Sequence, residues 1–282
     1  MFTKILVPVD GSDDSWQALE QAIEVAKEEN GSIKGLFVTD SRLVEAPFLA
    51  ATSTDDPIPG SDAGLVQLTL EIGKRINKRG DQILSRLAER CQQAGVPAQT
   101  ERVEGIVSKV ILQHASQSDL IVMGRRGEGA RWSGPMLGST FEAVVRHSPV
   151  PVLAAQDKTF TIRRPLLAFD GSERALDALS VAAHLASDEN RAVVLLTVDD
   201  GNPAPREAFE KAKSSLAEKG IKATSSFVKG HAAEEIVKVG KKEAVDLIVM
   251  GAYGHSRFIE TLFGSTVDDV MRRAGCPVLI CR

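Results

Sequence analysis

Cysteine is scarce in this chain. Its 282 residues hold three, Cys91, Cys276 and Cys281. An odd, sparse count argues against a disulfide framework. Cys276 and Cys281 bracket "CPVLIC", which has strand character, so both read as small buried or edge hydrophobes and not as a redox pair. The five histidines are dispersed and form no cluster with metal-ligand spacing. No apolar run approaches the ~18 residues needed to cross a bilayer. The opening "MFTKILVPVDG" lacks the long apolar stretch and small-residue cleavage site of a secretory signal; the expectation is a soluble cytoplasmic protein. Excess charge is lacking too: the net charge is −4. That balance does not suggest nucleic acid or an anionic membrane as a partner. Two phosphate signatures are missing. There is no G-x-x-x-x-G-K-[ST], and no G-x-G-x-x-G follows the first strand.

What is present is written twice. "ILVPVDGSDDSWQAL" (5–19) matches "PLLAFDGSERALDAL" (165–179), "SDLIVMGRRG" (118–127) matches "VDLIVMGAYG" (245–254), and "HSPVPVLAA" (147–155) matches "AGCPVLICR" (274–282). The order is the same in both halves. Two long copies are two domains, not a solenoid of short repeats. We place the domains at 1–156 and 162–282, joined near the polar, basic "QDKTFTIRR" (156–164).

Each copy alternates strand-like and helix-like segments. Short apolar runs end at Asp10 and Asp170. Trp16, Leu19, Ile23 and Ala26 fall on one helical face, as do Leu176, Leu179, Ala183 and Ala186. The segments "IKGLFVTD" (33–40) and "RAVVLLTVDD" (191–200) read as second strands. Helices over 80–95 and 209–220 each end on a glycine. A third strand, a further helix, the run "DLIVMG", a last helix and a last strand complete each copy. The pattern predicts two α/β domains, each with a five-stranded parallel sheet covered by helices on both faces. Such doubly wound sheets bind ligands beyond the carboxyl ends of their strands. The first copy carries an insertion over about 40–75, including "APFLAATSTDDPIPGSDAG" (46–64). It reads as a surface loop leading into a longer helix, with a lid over the first site as the functional alternative.

The residues with chemistry to offer follow the strands. Gly124 and Gly127, and Gly251 and Gly254, come directly after "DLIVM" or "LIVM". Glycine there permits positive φ and close approach of a ligand to backbone amides. Gly138-Ser139-Thr140 and Gly264-Ser265-Thr266 precede the last helices. Ser139 with Glu142 reads as a capping box, and Ser265 with Asp268 as a weaker one. A helix N-terminus offers amides and a positive dipole end to phosphate, to which the serine and threonine hydroxyls add donors. Turns and caps alone are the structural alternative. Asp10 suits hydroxyls or an adenine amino group as an acceptor, with a helix cap as its alternative role.

Taken together these segments resemble the universal stress protein family in its tandem form. The family's nucleotide motif, G-x2-G-x9-G-[ST], is matched without a gap by "GAYGHSRFIETLFGS" (251–265). "VDGS", "FDGS", the two "DLIVMG" runs and "PVL" in each last strand add to the likeness. The resemblance implies an adenine-nucleotide-binding regulatory protein of the stress response, taking ATP or AMP, with Mg²⁺ arriving on ATP. It places adenine near Asp170 and Val198, or Asp10 and Val38. It places phosphates and ribose on Gly251, Gly254, Gly264, Ser265 and Thr266, or Gly124, Gly127, Gly138, Ser139 and Thr140. His255 follows Gly254 and would stand near a phosphate; the first copy has Glu128 there. The first copy departs from the motif, with ten residues between Gly127 and Gly138 and with Trp132, Gly134 and Pro135 among them. Its Arg125, Arg126 and Arg131 add charge suited to a triphosphate, or are solvated surface arginines. A slow ATPase and a member that binds no nucleotide stand as alternatives. No lysine, carboxylate pair or nucleophile–base pair recurs with the phosphate segment. Single-domain members dimerise through the last strand. The tandem chain is expected to join "PVPVLAA" to "CPVLICR" internally, with a further homodimer open.

Overall fold

The computed structural model describes residues 1–43, 61–128, 137–156, 161–188, 190–199, 206–252 and 265–282. Ten strands form one sheet: β1 Lys4–Pro8, β2 Ser32–Asp40, β3 Ala98–Gly105, β4 Leu120–Gly124, β5 Val152–Ala155, β6 Pro165–Ala168, β7 Ala192–Asp199, β8 Lys222–Lys229, β9 Leu247–Gly251 and β10 Val278–Cys281. Their spatial order is β3-β2-β1-β4-β5-β10-β9-β6-β7-β8. Each half is a five-stranded parallel sheet, as the repeat pattern predicts. The halves meet where β5 and β10 run antiparallel, Leu153 opposite Leu279.

The strands are apolar on both sides because both sides are covered. Val7, Val122, Leu167 and Val249 face one core, packed under helices Asp13–Glu29, Ser61–Gln93, Glu173–Leu185 and Arg206–Glu218. Their neighbours Leu6, Ile121, Leu166 and Ile248 face the other, under Val107–Ala115, Ser139–His147, Ala232–Lys242 and Ser265–Arg273. Cys91, Cys276 and Cys281 are all buried, and none is in a disulfide.

The first helix buries Leu19, Ile23 and Ala26 as its spacing requires. Trp16 is only partly buried and takes Arg86 and Arg90 over its ring, at 4.6 and 4.9 Å. The counterpart in the second half buries Leu179, Ala183 and Ala186 as expected but departs at Leu176, which is exposed, the buried face running also through Ala175, Ala178 and Ala182. The small side chains seat the helix closely and turn position 176 outward.

The insertion resolves into a helix for much of its length. Ser61–Gln93 is continuous, and residues 44–60 lie outside the described part. Gly80, where the sequence suggests a start, sits mid-helix because the Phe37 ring occupies the space of its missing side chain; an added Cβ would lie 2.5 Å from Phe37 Cδ1.

The contact between halves repeats itself about a pseudo-twofold. Gln156 Nε2 donates to Ala274 O at 2.8 Å, and Arg282 Nη1 to Ser148 O at 3.3 Å. These are equivalent positions of the two copies. Gln21 Nε2 donates to Gln156 O at 2.6 Å. Farther along, Glu28 pairs with Arg191 at 3.0 Å and Glu29 with His184 at 2.6 Å.

Candidate functional site

Within each half the strand order reverses once, between β1 and β4 and between β6 and β9. These are the switch points where an open α/β sheet leaves a crevice. Register brings the expected residues to them. Pro8 is opposite Leu36, and two residues on, Asp10 is level with Val38. Leu6 is opposite Ile121, so Gly124 ends the neighbouring strand at the same height. In the second half, Ala168 opposite Leu196 and Met250 sets Asp170 level with Val198 and beside Gly251.

Asp10 is a junction. Its Oδ1 accepts from Ser12 N at 2.9 Å and Ser12 Oγ at 2.6 Å. That fixes Ser12, whose Oγ accepts from Ser15 N at 3.2 Å and caps the Asp13–Glu29 helix. Asp10 is therefore not the cap; it orients the cap. Between them Gly11 takes φ +87°, a turn only glycine makes cheaply. Asp170, Gly171 (φ +79°) and Ser172 repeat the device. The second oxygen of Asp10 accepts from Glu128 N at 2.8 Å. It also lies 2.8 Å from where a Gly127 Cβ would stand. Asp10 and Gly127, 117 positions apart in numbering, thus touch.

The other glycines act by absence of a side chain, not by positive φ. Neither Gly124, Gly127, Gly138 nor Gly251 is in the left-handed region. A Cβ on Gly124 would stand 2.8 Å from the backbone carbon of Asp14, and one on Gly251 2.8 Å from that of Arg174. Both glycines admit the first turn of the helix that follows the neighbouring strand, Asp13–Glu29 beside β4 and Glu173–Leu185 beside β9. The expectation of positive φ at 124 and 251 is corrected accordingly.

The capping box is also corrected. The Ser139–His147 helix has Gly138 as its N-cap, with φ −73°, ψ 139° and no side-chain cap bond. Ser139 is already inside the helix, so its hydroxyl is one position late for the role. Glu142 N bonds to Gly138 O at 2.9 Å, and Gly138 N to Arg125 O at 2.9 Å. Among the described residues, the amides of the first turn thus meet no capping side chain. Thr140 follows Ser139 in that turn. A Gly138 Cβ would lie 3.8 Å from Gly127 N, so the helix start, Gly127 and Asp10 form one contiguous surface. In the second half, Ser265 and Thr266 open the Ser265–Arg273 helix. Gly254, His255 and Gly264 lie outside the described residues, as do Arg131, Trp132, Gly134 and Pro135.

The arginines divide. Arg125, expected to add charge, turns away: its Nη1 donates to Met271 O at the end of the opposite half's last helix. Burial lowers its pKa, against the pull of Asp14; a cation at a helix C-terminus is favourably placed. Arg126 pairs with Asp14, Nε to Oδ2 at 3.4 Å. Among the described residues, the arginine that reaches the first site is Arg79, which the motifs do not signal. Its Nη2 lies 2.7 Å from Glu128 Oε1 and 3.4 Å from Asp10 O, and the bond to Glu128 raises its pKa. Nearby, the buried Thr39 donates through Oγ1 to Asn77 Oδ1 at 2.9 Å. Helical spacing of Ile72, Ile76, Ile83 and Leu87 was the available signal for this arm.

Among the described residues, no helix is long and apolar enough to cross a membrane. Comparison with known proteins agrees with the architecture. Residues 1–156 and 204–282 match the universal stress protein family. The chain is 32% identical over 284 residues to universal stress protein Slr1230 of Synechocystis, covering 99% of each. It is 30% identical over 158 residues to universal stress protein MJ0531 of Methanocaldococcus jannaschii, covering 55% of this chain and 83% of that one. Its fold is that of a universal stress protein from Archaeoglobus fulgidus, with TM-score 0.79 at 22% identity over 100% and 99% of the two chains. With the match spanning both halves and a relative aligned end to end, the chain belongs to the universal stress protein family.

Proposed function

We propose that this protein binds adenine nucleotides, ATP or AMP, at its two switch points and acts in the stress response as a nucleotide-dependent switch or scaffold. The observation that carries the reading is the bare start of the Ser139–His147 helix, capped by a glycine and lying beside Gly127 and Asp10. Amides without a capping side chain at a positive dipole end suit a phosphate. Asp10 and Val38 stand where an acceptor and an apolar contact would meet a nucleoside. In the second half, Asp170, Val198, Gly251, Ser265 and Thr266 hold the corresponding places, with Gly254, His255 and Gly264 assigned from the motif. When bound, the nucleotide supplies a charged group whose presence the two halves read; the chain's own residues orient it.

The domains in this reading are 1–156 and 162–282, each with one site. The antiparallel β5–β10 seam supports a chain that carries its own domain pair; we take its place of action to be the cytoplasm. The test is equilibrium binding of ATP to the purified protein and to the variants Gly138→Val and Gly264→Val. Each substitution should weaken one site. Equal affinity and capacity in all three proteins would overturn the proposal.

A further inference from the structure

The two halves differ most in the helix that follows the second strand. Aligning the helices on the glycines that follow them, Gly95 and Gly220, sets Arg79 against Ala204 and Glu128's counterpart at His255. The second helix begins at Arg206. The arm carrying Arg79 therefore belongs to the first half alone. It is held firmly. Asn77 takes the hydroxyl of buried Thr39 at 2.9 Å, and Gly80 sits against the Phe37 ring. One turn of helix between those anchors fixes where Arg79 stands.

From there Arg79 touches the floor of the first site. It bonds Glu128, whose own amide is tied to Asp10, and it approaches Asp10 O. Glu128 follows Gly127, which neighbours the Gly138 helix start. The pair is a surface one, with 47% and 52% of the side chains exposed, and pairs of that kind contribute little and open easily. A guanidinium is also the group best matched to phosphate oxygens.

We propose that Arg79 is a phosphate-binding residue peculiar to the first site, and that Glu128 is its internal competitor. The proposal rests on the adenine-nucleotide reading above. A polyphosphate seated on the Ser139–His147 helix start draws Arg79 off Glu128; a monophosphate, with less charge and reach, gains less from it. The first site is thus selective for polyphosphate, while the second half carries Ala204 and His255 at the aligned sequence positions.

The test compares Glu128→Gln, Arg79→Gln and the double variant for binding of ATP, AMP and inorganic tripolyphosphate by calorimetry. The second site is blocked by Gly264→Val or, independently, by Ser265→Asp, which repels phosphate yet suits a helix N-terminus. Circular dichroism confirms folding of each variant. Glu128→Gln should tighten ATP and tripolyphosphate roughly three- to tenfold. Arg79→Gln should weaken both and abolish that gain in the double variant, and AMP should change less than about twofold. ATP binding that ignores both substitutions leaves Arg79–Glu128 a surface ion pair and overturns this inference alone. Absence of ATP binding in the blocked background, with binding kept in the unblocked chain, overturns it while sparing the second site. Absence of nucleotide binding in the unblocked chain overturns the underlying reading as well.

Discussion

Replacing Gly124 by alanine puts a methyl group 2.8 Å from the carbonyl carbon of Asp14 and 2.9 Å from its oxygen. Carbon atoms in contact normally stand about 3.5–4.0 Å apart, so the first turn of the Asp13–Glu29 helix must withdraw by roughly 0.7 Å. Backbone, not a flexible side chain, has to move. That turn is tied down by the Ser12 cap and the Asp10 junction. Overpacking of this kind costs about 1–3 kcal/mol, and we expect the upper half of that range. Gly251→Ala meets Arg174 in the same way and should cost as much. Gly138→Ala is the control. Its nearest neighbour would be 3.4 Å away and its φ is ordinary, so only the poorer cap preference of alanine enters, about 1 kcal/mol or less. The assay is urea denaturation of the nucleotide-free variants followed by circular dichroism. Midpoints are the quantity to compare, because two domains need not unfold in one step. Gly124→Ala and Gly251→Ala should both unfold at clearly lower urea than Gly138→Ala. A Gly124→Ala midpoint equal to that of the parent would refute the close-approach argument.

Two further outcomes follow from the seam between the halves. Arg125→Met removes the donor to Met271 O and should destabilise the chain by about 1–3 kcal/mol, read as a lower thermal midpoint; an unchanged midpoint would show that the bond contributes nothing. The thiols should be inert in the native protein: burial pushes Cys281 up to about 12 and Cys91 up to about 11, and Cys276 is buried as well. Ellman's reagent at pH 8 should label the native chain far more slowly than the unfolded one, and rapid labelling of Cys281 would contradict the packing of β10.

The repeat was legible because it is written in strand-end motifs. "DLIVMG" and "PVL" announce buried parallel strands by composition alone, and their order set the topology of each half. The site was legible only as a set of candidates. That Asp10 meets Gly127 depends on β1 lying beside β4, a relation between distant segments that no local pattern carries. The Ser139 capping box failed because the S-x-x-E spacing is satisfied equally well one residue inside the helix, and Gly138 took the cap. Gly124 and Gly251 were expected to take positive φ, but what requires glycine there is the close approach of Asp14 and Arg174, helix residues more than a hundred and more than seventy positions earlier. Arg79 was missed because Gly80 looks like a boundary. Only the Phe37 ring explains a glycine in mid-helix, and that contact is tertiary.

The central claim is that each half presents one nucleotide site at its switch point. Titration of the intact chain with ATP, with the bound nucleotide counted per chain, tests it most directly. The expected limit is two per chain, falling to one in either Gly138→Val or Gly264→Val and to none when both are combined. Saturation that is unaffected by either substitution, or no ATP bound at all, would contradict it.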